Sequence, residues 1–118
     1  TENAPKAIGP YSQAIQSGSL LFVSGVMPID PSTNALVENT IKAQAKQVMK
    51  NIDGVLKAAG YTVDDVVKTT CFLSDINNFA AFNEVYGNYF TSKPARSCMA
   101  VKDLPKAALV EVEVIANK

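Results

Sequence analysis

Three residues with chemistry to offer, Arg96, Cys98 and Glu111, lie in the last quarter of the sequence. Ala95 to Val101 and Leu109 to Ala116 alternate in side-chain type, which predicts two β-strands. If Met99 and Val101 pack under helices, Arg96, Cys98 and Ala100 face the other way. Val110, Val112, Val114 and Ala116 packed under the same helices leave Glu111 on that outer face too. The expectation is a guanidinium and a carboxylate on neighbouring strands, a candidate site. Its plain alternative is a cross-strand ion pair on a solvated face, worth a few tenths of a kcal/mol. Cys98 beside Arg96 is a candidate nucleophile or redox thiol, or else a small buried side chain. Asn83 falls within about 60° of the centre of an apolar helix stripe, so its amide needs a partner or a ligand. Tyr11 follows Gly9-Pro10 in a turn-rich arm, where it is a surface aromatic or folds over a neighbour. Ser24-Gly25 at a strand end supplies a hydroxyl and a close backbone approach, or simply a terminus.

Several classes of chemistry are excluded at once. The chain has no His, so no Ser/His/Asp or Cys/His arrangement exists, and with two Cys it cannot assemble a four-ligand N/S zinc site. No Gly-rich phosphate loop occurs. Eleven Lys+Arg balance eleven Asp+Glu, which leaves no electrostatic footprint for nucleic acid or anionic lipid. There is no apolar run long enough to span a membrane and no secretory signal pattern, so a cytosolic protein with Cys71 and Cys98 as free thiols is expected.

The elements that must position these residues follow from periodicity. At 118 residues, 47% hydrophobic and 19% charged, the chain is read as one globular domain. An N-terminal arm precedes a hairpin, Ala14–Gln16 and Leu20–Ser24, turned at Ser17-Gly18-Ser19. Pro28, Pro31 and Asn34 mark a loop. Apolar residues at spacings of three and four from Thr40 to Ala59 predict an amphipathic helix, capped by Asn39 or Thr40 and ended by Gly60. Gly54 inside it hints at close packing. Val66 to Leu73 is a β-branched strand. A second helix runs from an Asn77 or Asn78 cap to Phe90, with Phe79, Phe82, Tyr86 and Phe90 on its stripe. The order ββαβαββ gives a two-layer α+β fold with both helices on one face of a mixed sheet. Leu109, Ile115 and Cys98 on the other face call for a cover, and self-association is the simplest.

Ala7-Ile8-Gly9-Pro10-Tyr11-Ser12-Gln13-Ala14, Val23-Ser24-Gly25, Val67-Lys68-Thr69-Thr70, Pro94-Ala95-Arg96-Ser97-Cys98, Leu104-Pro105-Lys106 and Val110-Glu111-Val112-Glu113, in this order, closely resemble the RidA (YjgF/YER057c/UK114) enamine/imine deaminases. The resemblance spans nearly the whole chain and implies a single domain over residues 1–118. It implies a chorismate-mutase-like fold assembled as a homotrimer, with sites in the clefts between subunits. It also implies hydrolysis of 2-imino acids such as 2-iminobutanoate and 2-iminopropanoate, released by pyridoxal-phosphate-dependent dehydratases, to 2-keto acids and ammonia, with no cofactor. By position, Arg96 matches the arginine that grips the substrate carboxylate, Glu111 the acid that handles water, and Tyr11 a tyrosine lining the cleft. Ser24, Gly25, Asn83 and Cys98 match pocket positions. The Thr91-Ser92-Lys93 connection looks shorter than in many relatives. Two other readings use the same residues: a module that binds keto or amino acids without turnover, and a stress-linked holdase working through the apolar sheet face.

Overall fold

The computed structural model describes residues 1–118. In chain order its elements are β1 (Ala14–Ser17), β2 (Leu20–Val26), β3 (Ile29–Asp30), β4 (Ala35–Leu36), α1 (Ile41–Ala58), β5 (Val66–Leu73), α2 (Phe79–Tyr89), β6 (Ala95–Ala100) and β7 (Val110–Asn117). The expected order holds, with one addition. The segment read as a loop contains the short hairpin β3–β4, turned through Asn34 at φ 60°. Two-residue strands are too short for an alternation to register in sequence. Gly25 does not close β2, which runs on to Val26 across an irregularity between Val23 and Val26.

The main sheet has the order β1-β2-β7-β5-β6. All its pairings are antiparallel except β5 with β6, which α2 joins as a parallel crossover. The last strand therefore lies in the middle. Val110 and Val112 are completely buried and Val114 is nearly so, because both helices cover this face. α1 contributes Val48, Ile52 and Leu56 to the core and α2 contributes Phe82 and Tyr86. Filling this layer is the dominant stabilising term, about 1.5–3 kcal/mol for each large apolar side chain removed from water.

Helix boundaries have local causes. The Thr40 side chain accepts from Ala43 N, and Gly60 takes φ 83° just beyond the other end of α1. The second helix is entered differently from the expectation. Asp75 accepts from Asn77 N at 2.9 Å and starts a 3-10 turn, Ile76–Asn78, whereas Asn78 makes no side-chain cap bond.

Buried amides tie α1 to the segments that carry the site. Asn51, fully buried, donates to Met27 O at 3.0 Å and Ile29 O at 2.8 Å, just after β2. Gln44 accepts from Leu109 N at 2.8 Å, fixing the chain where it enters β7. Left unpaired, such groups would cost about 1–3 kcal/mol each, so they specify one path for the backbone. The N-terminal arm is folded back: Gln13 donates to Pro5 O at 2.8 Å, and Asn3 lies on Gly54 so closely that any Cβ there would collide with the Asn3 backbone. The close packing anticipated at Gly54 is the seat of the arm.

The opposite sheet face is mixed, with Lys68, Thr70, Glu111 and Glu113 among exposed or half-buried apolar residues. Register places Ile15, Phe22 and Ile115 in one row and Phe72 beside Met99. Ile15, Phe22 and Met99 are 58%, 42% and 39% exposed.

Gly54→Ala should gain helix propensity yet lift the arm, and the lost packing should outweigh the gain of about 1 kcal/mol. The expected outcome is faster tryptic cleavage after Lys6 and a lower melting temperature, both measured against the native chain.

Candidate functional site

The seven candidate residues fall into two groups. Tyr11, Ser24, Gly25 and Glu111 line one cavity of about 520 Å³, shared with the arm residues Ala4, Pro5, Lys6 and Ile8 and with Pro105-Lys106. None of Asn83, Arg96 and Cys98 lines it.

The face expected for Arg96 is corrected by the pairing of β6. In the parallel ladder Thr69 is opposite Arg96 and Cys71 opposite Cys98, and Thr69 and Cys71 are fully buried under the helices. Arg96 and Cys98 thus share the helix face, while Met99 sits beside Phe72 on the outer face with Glu111. The strands are not neighbours either, because β5 lies between β6 and β7. Arg96 and Glu111 are on opposite faces of the sheet, two strands apart, or about 10 Å in strand spacing alone. Cys98 likewise leaves the outer row and packs on the edge of the core.

α2 supplies what holds Arg96. Phe79, Asn83 and Tyr86 recur at helical spacing on one face of α2. Arg96 donates from Nη1 to Asn83 Oδ1 at 2.7 Å, which answers the question posed by an amide beside an apolar stripe. Its Cζ lies 4.7 Å from the Tyr86 ring centroid and 5.5 Å from that of Phe79. The chain's two ion pairs are Lys42–Glu84 and Lys57–Asp53, so the guanidinium has no carboxylate partner. Arg96 is the chain's single arginine. A cation stacked on aromatic faces, with most of its N–H donors uncommitted, is built to receive a planar anion. Phe79 and Tyr86 were legible only as stripe residues; the signal for their role was their i, i+7 spacing around Asn83.

At the other group, the β2 irregularity brings Gly25 against Glu111. A Cβ at Gly25 would stand 2.6 Å from Glu111 Oε2, so glycine is what admits the carboxylate. Ser24 Oγ donates to Ser12 O at 2.6 Å, which attaches the Tyr11 segment to β2; Tyr11 itself is 53% exposed. Lys106, at φ 57°, and Pro105 form a further wall not foreseen in the sequence. Burial, with a smaller contribution from the charge of Glu113, raises the Glu111 pKa above its ordinary 4.5. Burial also raises Cys98, partly opposed by Arg96, and pushes Cys71 up to about 12. Neither thiol is an activated nucleophile in this state. No group of three or more Cys, Asp or Glu is placed to hold a metal ion, and no helix is long and apolar enough to cross a membrane.

Fold and site together define a class: an α+β protein with a two-helix layer, an arginine stacked on aromatic rings without a carboxylate partner, and a half-buried carboxylate beside a glycine. Comparison with known proteins is specific. The family model described as Endoribonuclease L-PSP matches residues 1–118. A RutC family protein of Pyrococcus horikoshii is 56% identical, covering 100% of this chain and 94% of its own. The 2-iminobutanoate/2-iminopropanoate deaminase of Salmonella typhimurium is 48% identical over 98% of this chain and 93% of its own. The crystal structure of E. coli TdcF with bound serine superposes with a TM-score of 0.95 at 40% identity, covering 100% of this chain and 95% of that one. The chain belongs to the Rid (endoribonuclease L-PSP, RutC) family.

The raised Glu111 pKa carries a stability consequence with a definite sign. Below about pH 4.5 the carboxyl is protonated in folded and unfolded chains alike, and its burial costs nothing extra. As pH rises through 4.5 toward the folded value the unfolded chain loses its proton first, and stability falls. Glu111→Gln should therefore melt higher than the native chain at pH 7, with the difference shrinking by pH 4, as read from melting temperatures across that range.

Proposed function

We propose that the chain hydrolyses 2-imino acids, or the enamines that tautomerise to them, to 2-keto acids and ammonia, and that it does so as a homotrimer with each site shared between two copies. The observation that carries this reading is the stacked Arg96 guanidinium with no carboxylate partner, which offers paired N–H donors to a substrate carboxylate. Support comes from the 48% identical relative named as a 2-iminobutanoate/2-iminopropanoate deaminase and from the serine, itself a small amino acid, bound to TdcF.

The division of labour follows from charge. Arg96 binds and orients the carboxylate, with Asn83 holding the guanidinium and Cys98 filling the pocket beside it. Glu111 accepts a proton from water as the oxygen attacks the imine carbon. A tetrahedral carbinolamine forms as the imine nitrogen is protonated; the C–N bond then breaks as the carbinolamine hydroxyl gives its proton, through Glu111, to the departing nitrogen, releasing ammonia and the keto acid. The raised pKa of Glu111 makes it a better base than an exposed glutamate. Tyr11, Ser24 and Gly25 shape the wall around this water. Imine hydrolysis is intrinsically facile, so orientation and a placed base suffice without cofactor, metal or covalent nucleophile.

Opposite sheet faces keep Arg96 and Glu111 of one chain from closing on one small molecule. A second copy seated on the apolar row of Ile15, Phe22 and Ile115 buries that row, and in this reading it brings the Arg96 group of one chain to the Glu111 cavity of the next. A phosphodiester substrate, which the family description would suggest, finds balanced charge and a single arginine instead of a basic track.

The test couples a threonine dehydratase to the purified chain and follows 2-ketobutanoate while imine hydrolysis limits the rate. Arg96→Lys and Glu111→Gln should each lose most of the acceleration. Co-refolded as mixed oligomers, the two inactive variants should regain roughly a quarter of the native rate, because one site in about four then draws an intact Arg96 and an intact Glu111 from different chains. Acceleration without recovery on mixing would refute the shared site. Binding of 2-ketobutanoate without acceleration would favour a sensing module over an enzyme.

A further inference from the structure

The Arg96 seat contains a polar pair that packing alone does not require. Tyr86 and Thr69 share a hydrogen bond of 2.7 Å between their hydroxyl oxygens, buried beneath the guanidinium. Thr69 is fully buried in β5 and is the ladder partner of Arg96 itself. The Tyr86 ring is also held by Phe90, with centroids 4.6 Å apart, and by Phe82 at 5.7 Å. Val at 69 and Phe at 86 would fill the same volume without burying two hydroxyls, whose desolvation has to be offset by the bond they make.

We propose that Tyr86, locked by Thr69, is a positioning residue that sets the plane of the Arg96 guanidinium and through it the affinity for a carboxylate. The contacts form a closed circuit: ladder partner to ladder partner along the sheet, Thr69 hydroxyl to Tyr86 hydroxyl, and Tyr86 ring face to the guanidinium. A swing of the ring about its Cα–Cβ bond, which would carry the ring face away from the stacked cation, is thereby opposed at its far end. Asn83 fixes one N–H from the side, and the ring fixes the tilt. Bidentate recognition depends on that tilt, since both N–H bonds must lie in the carboxylate plane. The consequence for affinity rests on the proposed role of Arg96 in binding the substrate carboxylate; the seat itself does not.

Because Arg96 is the single arginine, a ¹H–¹⁵N spectrum of the intact protein contains one arginine Nε–Hε signal, a direct reporter of the seat. In the native chain it should lie upfield of a free arginine, under the ring current of Tyr86, and should move on titration with 2-ketobutanoate. Thr69→Val leaves the Tyr86 hydroxyl buried without its partner and should lower the melting temperature, shift the signal toward the free position and weaken 2-ketobutanoate binding roughly three- to tenfold, within the range of one cation–π contact. Thr69→Ser, which keeps the hydroxyl, should restore signal and affinity. The deciding variant is Thr69→Val/Tyr86→Phe. It removes both hydroxyls, so stability should recover toward native, while the unlocked ring leaves the signal displaced, the affinity weak and KM raised with kcat within about twofold. A merely structural pair would recover everything together, so native affinity and a native signal in the double variant would overturn the proposal. A ring-shifted native signal that 2-ketobutanoate does not move would instead overturn the deaminase reading, and the lock would then stand or fall on the signal position across the same variants.

Discussion

β7 is the strand on which the site turns. It lies between β2 and β5, and its alternate residues Val110, Val112 and Val114 are held under two helices with almost no exposure. Each is worth about 1.5–3 kcal/mol in that position. The raised pKa of Glu111 reports an opposing cost from burial, but three valines outweigh one half-buried carboxylate, and the period of two then forces Glu111 to the far face. The fold does not choose a place for the carboxylate; it chooses a place for its neighbours. What adapts is β2, whose irregularity at Ser24-Gly25 presents a backbone without a side chain where Oε2 must lie.

The same logic shows why one half of the site was legible in sequence and the other was not. Val110, Val112 and Val114 against Glu111 and Glu113 is an alternation with a large energy gap between its two registers, and it reads correctly. Ala95 to Ala100 has no such gap. Small residues occur on both faces, the strand is at the sheet edge, and the one long apolar side chain, Met99, stays 39% exposed. Its orientation is set by tertiary partners: the parallel register with β5 and the Phe79–Asn83–Tyr86 face of α2 that receives the guanidinium. Packing Met99 and Val101 under the helices puts Arg96 on the outer face, and the pairing with β5 reverses this. Here aromatic faces and an amide offset the partial burial of Arg96, and those contacts join residues 10 or more positions apart.

Element identity was more legible than element partnership. Both helices, the β1–β2 hairpin and the three long strands follow from period and turn chemistry, and Gly54, odd in a helix interior, correctly signalled a close approach. The approaching group, Asn3, could not be named from local pattern because the arm has none. The insertion of β5 between β6 and β7 was equally invisible, since nothing local distinguishes a strand that pairs with its chain neighbour from one that is displaced by an earlier strand.

That insertion has a functional consequence independent of any particular substrate. With β5 intervening and the two key side chains on opposite faces, the distance between Arg96 and Glu111 within a chain is a property of the sheet and cannot be shortened by side-chain motion. A chain with this sheet either uses the two groups for separate purposes or brings them together by association. The uncovered row of Ile15, Phe22 and Ile115 favours the second course, because the surface that must be buried and the cavity that must be completed belong to the same outer region as Glu111. In the proposed oligomer, association removes apolar surface from water and assembles the site in one step. A mutation of the apolar row would accordingly act on both in the proposed reading, where each chain contributes two unlike halves to shared sites.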